Sequence, residues 1–218
     1  MLEQWNAFKF FFTEEALDRG ADEVSAINTI LMSLGELKLW LYYMFLDWVL
    51  PKFSGINELF QSERSFITLV HFEMCQFYKE LLLIFLDPRY VARTGLVKIE
   101  PSNSTHFQRL EHMYCGAKFT AEVDNPVHAP FVRNSDVLSD VKRNCRNFLV
   151  KGCEELRIRF DFSSESTFAK LYTLSPALAV SASSASRAAS IVPIIRSVPR
   201  ILSMENNFDL VQKIDHQW

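Results

Sequence analysis

The chain has 218 residues, 49% hydrophobic and 22% charged, the balance of a folded protein with one sizeable domain and room for an appendage. Six Gly and 8 Pro are too few for an all-β protein with many tight turns, whereas 19 Phe promise a thick aromatic core. No charge-free apolar run reaches the ~18 residues of a membrane span: the nearest, Leu37 to Phe53, holds Lys38, Asp47 and Lys52.

In chain order, residues 3–19 read as a helix with Trp5, Phe8, Phe11 and Phe12 on one side, ended by Gly20. The opening MLEQWNAFKFFFTEE has no basic region ahead of an apolar run, so no signal peptide is expected. Asp22 is placed to cap a second helix over 23–34 that stops at Gly35. Glu36 to Leu50 is apolar nearly all round and is expected at the centre of a bundle. Pro51 suits the first position of the next helix.

Phe53, Ile56, Phe60, Ile67, Val70, Met74, Phe77, Leu81 and Ile84 then follow at steps of three and four, broken only at Glu63. This seam predicts one long central helix over about 52–87, roughly 54 Å at ~1.5 Å per residue. Ser62-Glu63-Arg64-Ser65 is the place for a kink, and Asp87-Pro88 is the end.

Residues 93–134 hold no lasting period and are punctuated by Gly95, Pro101, Gly116, Pro126 and Pro130. They are expected to be a long, poorly packed connection with short helical pieces, for example near 107–114. Asn134-Ser135-Asp136 opens another long helix, with Val137, Val141, Cys145, Phe148 and Leu156 on its apolar face, ending near Phe160-Asp161. The Ala/Ser-rich stretch 175–190 reads as a weak helix or a strap, Pro193 and Pro199 bracket a short segment, and a last helix spans roughly 205–216. The expected fold is an all-α multi-helix bundle with one long central helix and a long irregular connection. Its organisation is a helical part over 1–92, the connection over 93–134, and C-terminal helices over 135–218 that pack on the first part.

Cys75, Cys115, Cys145 and Cys153 form no CxxC pair, which favours a reduced intracellular compartment with buried thiols. His112 with Cys115 is half a zinc site at most, so no metal and no cofactor is expected. Residues 1–141 carry 12 Lys/Arg against 19 Asp/Glu, a net of −7, whereas residues 142–204 carry 10 against 4, a net of +6. The basic block suits an anionic partner, nucleic acid first, or a fold that sets it against the acidic half.

The segment from Lys38 to Val91 contains FL, VLPKF, N, FQSE and a YKELL helix at Phe45-Leu46, Val49–Phe53, Asn57, Phe60-Gln61-Ser62-Glu63 and Tyr78–Leu82. It resembles the helical region of hAT-superfamily transposase-derived proteins, and the opening EQWNAFKFFF and the tail (LSPALA, PIIRSVPRIL, LVQKIDHQW) are similar in kind. The resemblance covers nearly the whole sequence. It implies the all-helical insertion that interrupts an RNase H-like core, whose three acids hold two metal ions for strand transfer. The parts that carry those acids, the BED-type zinc finger and the C-terminal dimerisation segment have no counterpart here. A Cys-x-x-His element of some active relatives is absent too. The expectation is therefore a catalytically silent piece with no catalytic residues, ancestrally bracing the core and touching transposon DNA. The expected location is intracellular, the nucleus ahead of the cytoplasm. The alternative is a protein-interaction scaffold with no nucleic-acid role, binding the rest of a transposase-like chain or a second copy.

For weak, non-specific DNA binding the candidate phosphate contacts are Lys142, Arg143, Arg146 and Lys151, on or near one face of the 136–160 helix, then Arg157, Arg159, Arg196 and Arg200. A solvated helix face is the other reading of the same charges. Asn57, Gln61, Arg64, Thr68 and His71 make a polar stripe beside the seam, for a hydrogen-bonded helix contact or for DNA. Trp40 and Trp48 read as core, with Trp5 and Trp218 as the other tryptophans able in principle to stack on a base.

Overall fold

The computed structural model of the protein describes residues 4–18, 21–62, 66–127, 136–175, 190–198 and 208–217. It is all-α, with ten helices and no strand among the described residues. They are α1 (Trp5–Asp18), α2 (Ala21–Gly35), α3 (Leu37–Gln61), α4 (Val70–Phe85), α5 (Pro88–Arg93), α6 (Ala117–Val123), α7 (Asp136–Arg159), α8 (Thr167–Leu171), α9 (Val192–Ser197) and α10 (Phe208–Gln217). Short 3-10 turns stand at Leu96–Lys98, Ser104–His106, Leu110–His112 and Tyr172–Leu174.

The chain divides into two units, one of residues 1–55, 84–87 and 102–152, the other of 56–83, 88–101 and 153–218. In the first unit Trp5 packs its ring against Trp40 and Tyr43, with centroids 5.0 and 5.2 Å apart. Leu41, Phe45 and Val49 of α3 are fully buried, and Phe148 of α7 meets Phe45 and Phe53 edge-on. In the second unit Tyr78 stacks on Phe162 at 4.3 Å, and Phe160 joins Phe162 and Phe168. Asp215 of α10 accepts hydrogen bonds from the Ser190 hydroxyl at 2.7 Å and the Ile191 amide at 2.8 Å, just ahead of α9.

Two expectations about the seam are corrected. Pro51 lies inside α3 and does not start a helix. It sits on an exposed side of α3, where solvent can donate to the carbonyl that the ring leaves without an N–H. The helix expected over 52–87 is two helices, with α3 ending at Gln61 and α4 beginning at Val70. Ser62 turns both its amide and its hydroxyl back to the Leu59 carbonyl, at 3.3 and 2.8 Å, which closes the ladder early. The seam positions beside the break, Phe60 and Ile67, are 48% and 52% exposed, while Val70, Met74, Phe77 and Leu81 are buried. α2 also begins at Ala21, so Asp22 is within the helix and not ahead of it. Gly20 and most of the Ala/Ser-rich stretch lie outside the described residues.

The middle connection is a further correction, because it is packed. Ile99 is fully buried in the second unit, and Met113, Cys115 and Phe119 are buried in the first. Its first-unit part is tied to the end of α4: Leu86 and Phe107 form an isolated antiparallel bridge, the Asp87 amide donates to His106, and the Gln108 side chain donates to the Ile84 carbonyl. Gly116 has φ 107°, and a Cβ there would lie 2.8 Å from Trp48 Cβ. Only glycine lets the chain press so closely on that ring.

Candidate functional site

The most chemically distinctive cluster lies in the first unit, where the connection crosses α7. Cys145 is one turn beyond Val141 on the buried face of α7, and Cys115 stands in the non-helical segment just before α6. Both thiols are buried and free, and the Cys115 thiol donates to the Met113 carbonyl at 3.9 Å. The influence of Cys145, with help from the Lys142 charge, holds the Cys115 thiol below its ordinary range. The influence of Cys115, with burial, raises Cys145. Lys142 Nζ is fixed nearby, donating to the carbonyls of Leu110 at 2.8 Å and Glu111 at 3.4 Å. His112 is exposed, and no three His, Cys, Asp or Glu side chains gather as a metal site among the described residues.

The basic residues expected to meet phosphate are arranged differently from one another. Lys142 points at the connection, as above. Arg146 lays its guanidinium over the Phe107 ring at 4.5 Å, with a buried Nε that has no hydrogen-bond partner. Burial, then the Arg143 charge, lowers its proton affinity. At ~100° per residue, Lys151 comes out on the opposite side of the helix from Lys142, so the four α7 cations of this unit do not share a face. Arg143 is exposed and pairs with Asp140 at 3.2 Å. In the second unit Arg157 donates to the Val97 carbonyl at 3.3 Å, and Arg159 pairs with Glu155 at 3.2 Å. Arg196 is exposed on α9, and Arg200 lies outside the described residues.

No family model matches the chain, and no curated protein or solved structure does. Of the positions that carry the family resemblance, Phe45-Leu46, Val49–Phe53, Asn57 and Phe60-Gln61 are on α3, and Tyr78–Leu82 are on α4. Asn57 and Gln61 are exposed, Phe60 meets Phe66 edge-on at 5.9 Å, Ser62 ends the ladder, and Glu63 lies outside the described residues. The break after Gln61 also removes the polar stripe as one helical row. Thr68 is in a turn, and Arg64 is outside the described residues.

His71 on α4 meets Cys75, with Sγ 3.7 Å from Nδ1 and 3.8 Å from Nε2. Near-equal distances put the sulfur off either nitrogen's lone-pair axis, so proton transfer is not favoured. Burial raises the Cys75 thiol. The pair therefore lacks the activated thiolate that nucleophilic catalysis needs. The expected core tryptophans Trp40 and Trp48 are half-buried, Trp5 is buried, and Trp218 is outside the described residues.

The remaining feature is α1. Its polar residues, Asn6, Lys9, Thr13, Glu14, Glu15 and Asp18, are spread around the helix and do not gather into one polar face. Trp5 turns inward, yet Phe10 is 64% exposed, Phe11 53% and Leu17 81%. Met32 on α2 is 75% exposed. A cleft of about 390 Å³ opens along Gln4, Ala7, Phe8 and Phe11.

Proposed function

We propose that the chain is a non-catalytic helical scaffold of the kind that interrupts hAT-type transposases, and that it works by docking an apolar protein surface on α1. The ancestral counterpart of that surface is the RNase H-like core that such an insertion braces. The observation that carries this reading is the exposure of Phe10, Phe11 and Leu17 on one short helix, with a cleft along Gln4, Ala7, Phe8 and Phe11 beside them. Scattered single apolar residues need no explanation, but three large exposed ones on one short helix do. Two half-buried cations, Lys142 and Arg146, are turned to carbonyls and a ring, which leaves them poorly placed for a phosphate.

The test is light scattering with size-exclusion chromatography on the full chain, together with binding of an apolar-surface dye. The expected result is dye binding and concentration-dependent association that persists in high salt. The Phe10→Ser, Leu17→Ser double variant should lose both while keeping its helical circular dichroism. A monomer at all concentrations, with no dye bound, overturns the reading.

A second reading, weak contact to a DNA backbone, is favoured by the exposure of Arg143, Lys151, Arg159 and Arg196. If these four meet phosphates, affinity should fall about a hundredfold from roughly 50 to 200 mM salt. Apolar association should not fall with it.

A further inference from the structure

Ser190 serves the start of α9 and ties it to α10. Its Oγ accepts from the Val192 amide at 3.1 Å, and its hydroxyl donates to Asp215 Oδ1 of α10 at 2.7 Å. The same carboxylate oxygen accepts from the Ile191 amide at 2.8 Å. Pro193, the next residue of α9, has no N–H to satisfy. One hydroxyl and one carboxylate oxygen therefore meet the first donors of α9 and join it to α10. Thr13, Thr29, Ser33 and Thr120 use their hydroxyls differently, each donating to the backbone carbonyl four residues back.

Neither helix stands alone. α9 has six residues and α10 ten, both shorter than the ~12–15 that an isolated helix needs. Ile194 and Ile195 anchor α9, at 5% and 3% exposure. On α10, Val211, Ile214 and Asp215 are half-buried, while Gln212, Lys213, His216 and Gln217 are exposed. An element covered this thinly opens locally ahead of the core, which bares the half-buried Ser190.

The sequence adds an independent observation. Arg187 stands three places before the hydroxyl, in Arg187-Ala188-Ala189-Ser190. Arginine-directed protein kinases read a guanidinium at this offset with acidic pockets. Ser203, after Arg200, is the only other serine or threonine with an arginine three places ahead.

We propose that Ser190 is a phosphorylation site and that its phosphate releases α10 from α9. In the transfer, Ser190 Oγ attacks the γ-phosphorus of a nucleoside triphosphate held by the kinase. The O–P bond forms, the bond from that phosphorus to the β–γ bridging oxygen breaks, and a nucleoside diphosphate leaves. The hydroxyl proton passes to the kinase's carboxylate base. The product has no O–H at Ser190, so the bond to Asp215 cannot be remade. It also brings about −1.5 to −2 charge to a place where a carboxylate lies within hydrogen-bond distance, and the two repel. The lost donor and the added charge act in the same direction, toward an open α10.

The test is to treat the full chain with the catalytic subunit of an arginine-directed serine kinase, magnesium and ATP. Peptide mass spectrometry locates the phosphate, and hydrogen exchange follows residues 208–217 before and after. The expected result is phosphate on Ser190, with exchange over 208–217 about tenfold faster and exchange over α7 unchanged. Arg187→Ala should slow modification of Ser190 about tenfold and leave exchange of the unmodified chain as it was. Asp215→Asn keeps an acceptor but removes the repulsion, so in that variant the phosphate should speed exchange several-fold less. An unmodified Ser190, where the same kinase phosphorylates an Arg-Ala-Ala-Ser peptide, overturns the proposal. So does phosphate on Ser203 alone, or phosphate on Ser190 with no change over 208–217. The parent chain decides the matter even where a variant fails to fold.

Discussion

The N-terminal helix α1 and the middle connection invert the usual link between regular structure and burial. α1 is a clean 14-residue helix that leaves Phe10, Phe11 and Leu17 facing solvent. The connection through Ser104–His106, Leu110–His112 and α6 is irregular, yet it buries Met113, Cys115 and Phe119 within the same unit. Backbone ladders satisfy backbone groups whatever lies outside them, so a helix forms without being covered. Apolar side chains leave water only where another surface meets them, and an irregular segment does that as well as a helix when its polar groups find partners. Here the bridge of Leu86 to Phe107 and the bonds from Lys142 supply those partners.

The comparison is broken most forcefully inside the connection. Phe119→Ala removes a side chain that is 2% exposed and leaves a cavity, so unfolding should become easier by about 3–5 kcal/mol. Urea melts followed by tryptophan fluorescence read this directly. A loss below about 1 kcal/mol would mean that the connection is laid over the core and is not part of it. Gly116→Ala should come next. The backbone there is one that L-residues rarely adopt, and the new methyl group meets the Trp48 side chain at 2.8 Å. Strain and overpacking together should cost about 2–4 kcal/mol. The Trp48 fluorescence should also shift. A neutral Gly116→Ala would show that the approach of the chain to the ring is not fixed.

What the amino-acid pattern made legible follows from the same contrast. α7 was readable almost to the residue, from the Asp136 start through the spacing of Val141 and Cys145 to its end at Arg159. α1 and α2 were readable as helices, because local spacing decides helices. Cover is not local. Nothing in the connection's composition marks Met113 or Phe119 as buried, since each is held by residues far off in sequence. The seam misled because a three-and-four rhythm continues across the break, while the stop is made by the Ser62 hydroxyl on the Leu59 carbonyl. The basic block was visible as charge, but the carbonyls of Leu110 and Glu111 that hold Lys142 were not.

The smallest effect gives the sharpest comparison, because it uses the same substitution. Phe10→Ala removes the same atoms as Phe119→Ala, from a site that is 64% exposed in place of 2%. Little apolar area returns to water, and alanine is the better helix former by several tenths of a kcal/mol, so stability should stay within about 0.5 kcal/mol of the parent. Association and dye binding should fall even so, because they depend on the exposed ring and not on the fold. Thermal melts and dye titration on one sample separate the two. If Phe10→Ala cost as much stability as Phe119→Ala, the ring would be covered within the folded chain and α1 would have nothing left to offer a partner. If stability held and dye binding fell, the excess apolar surface of α1 would be a property of the native state, kept at no benefit to the fold that bears it.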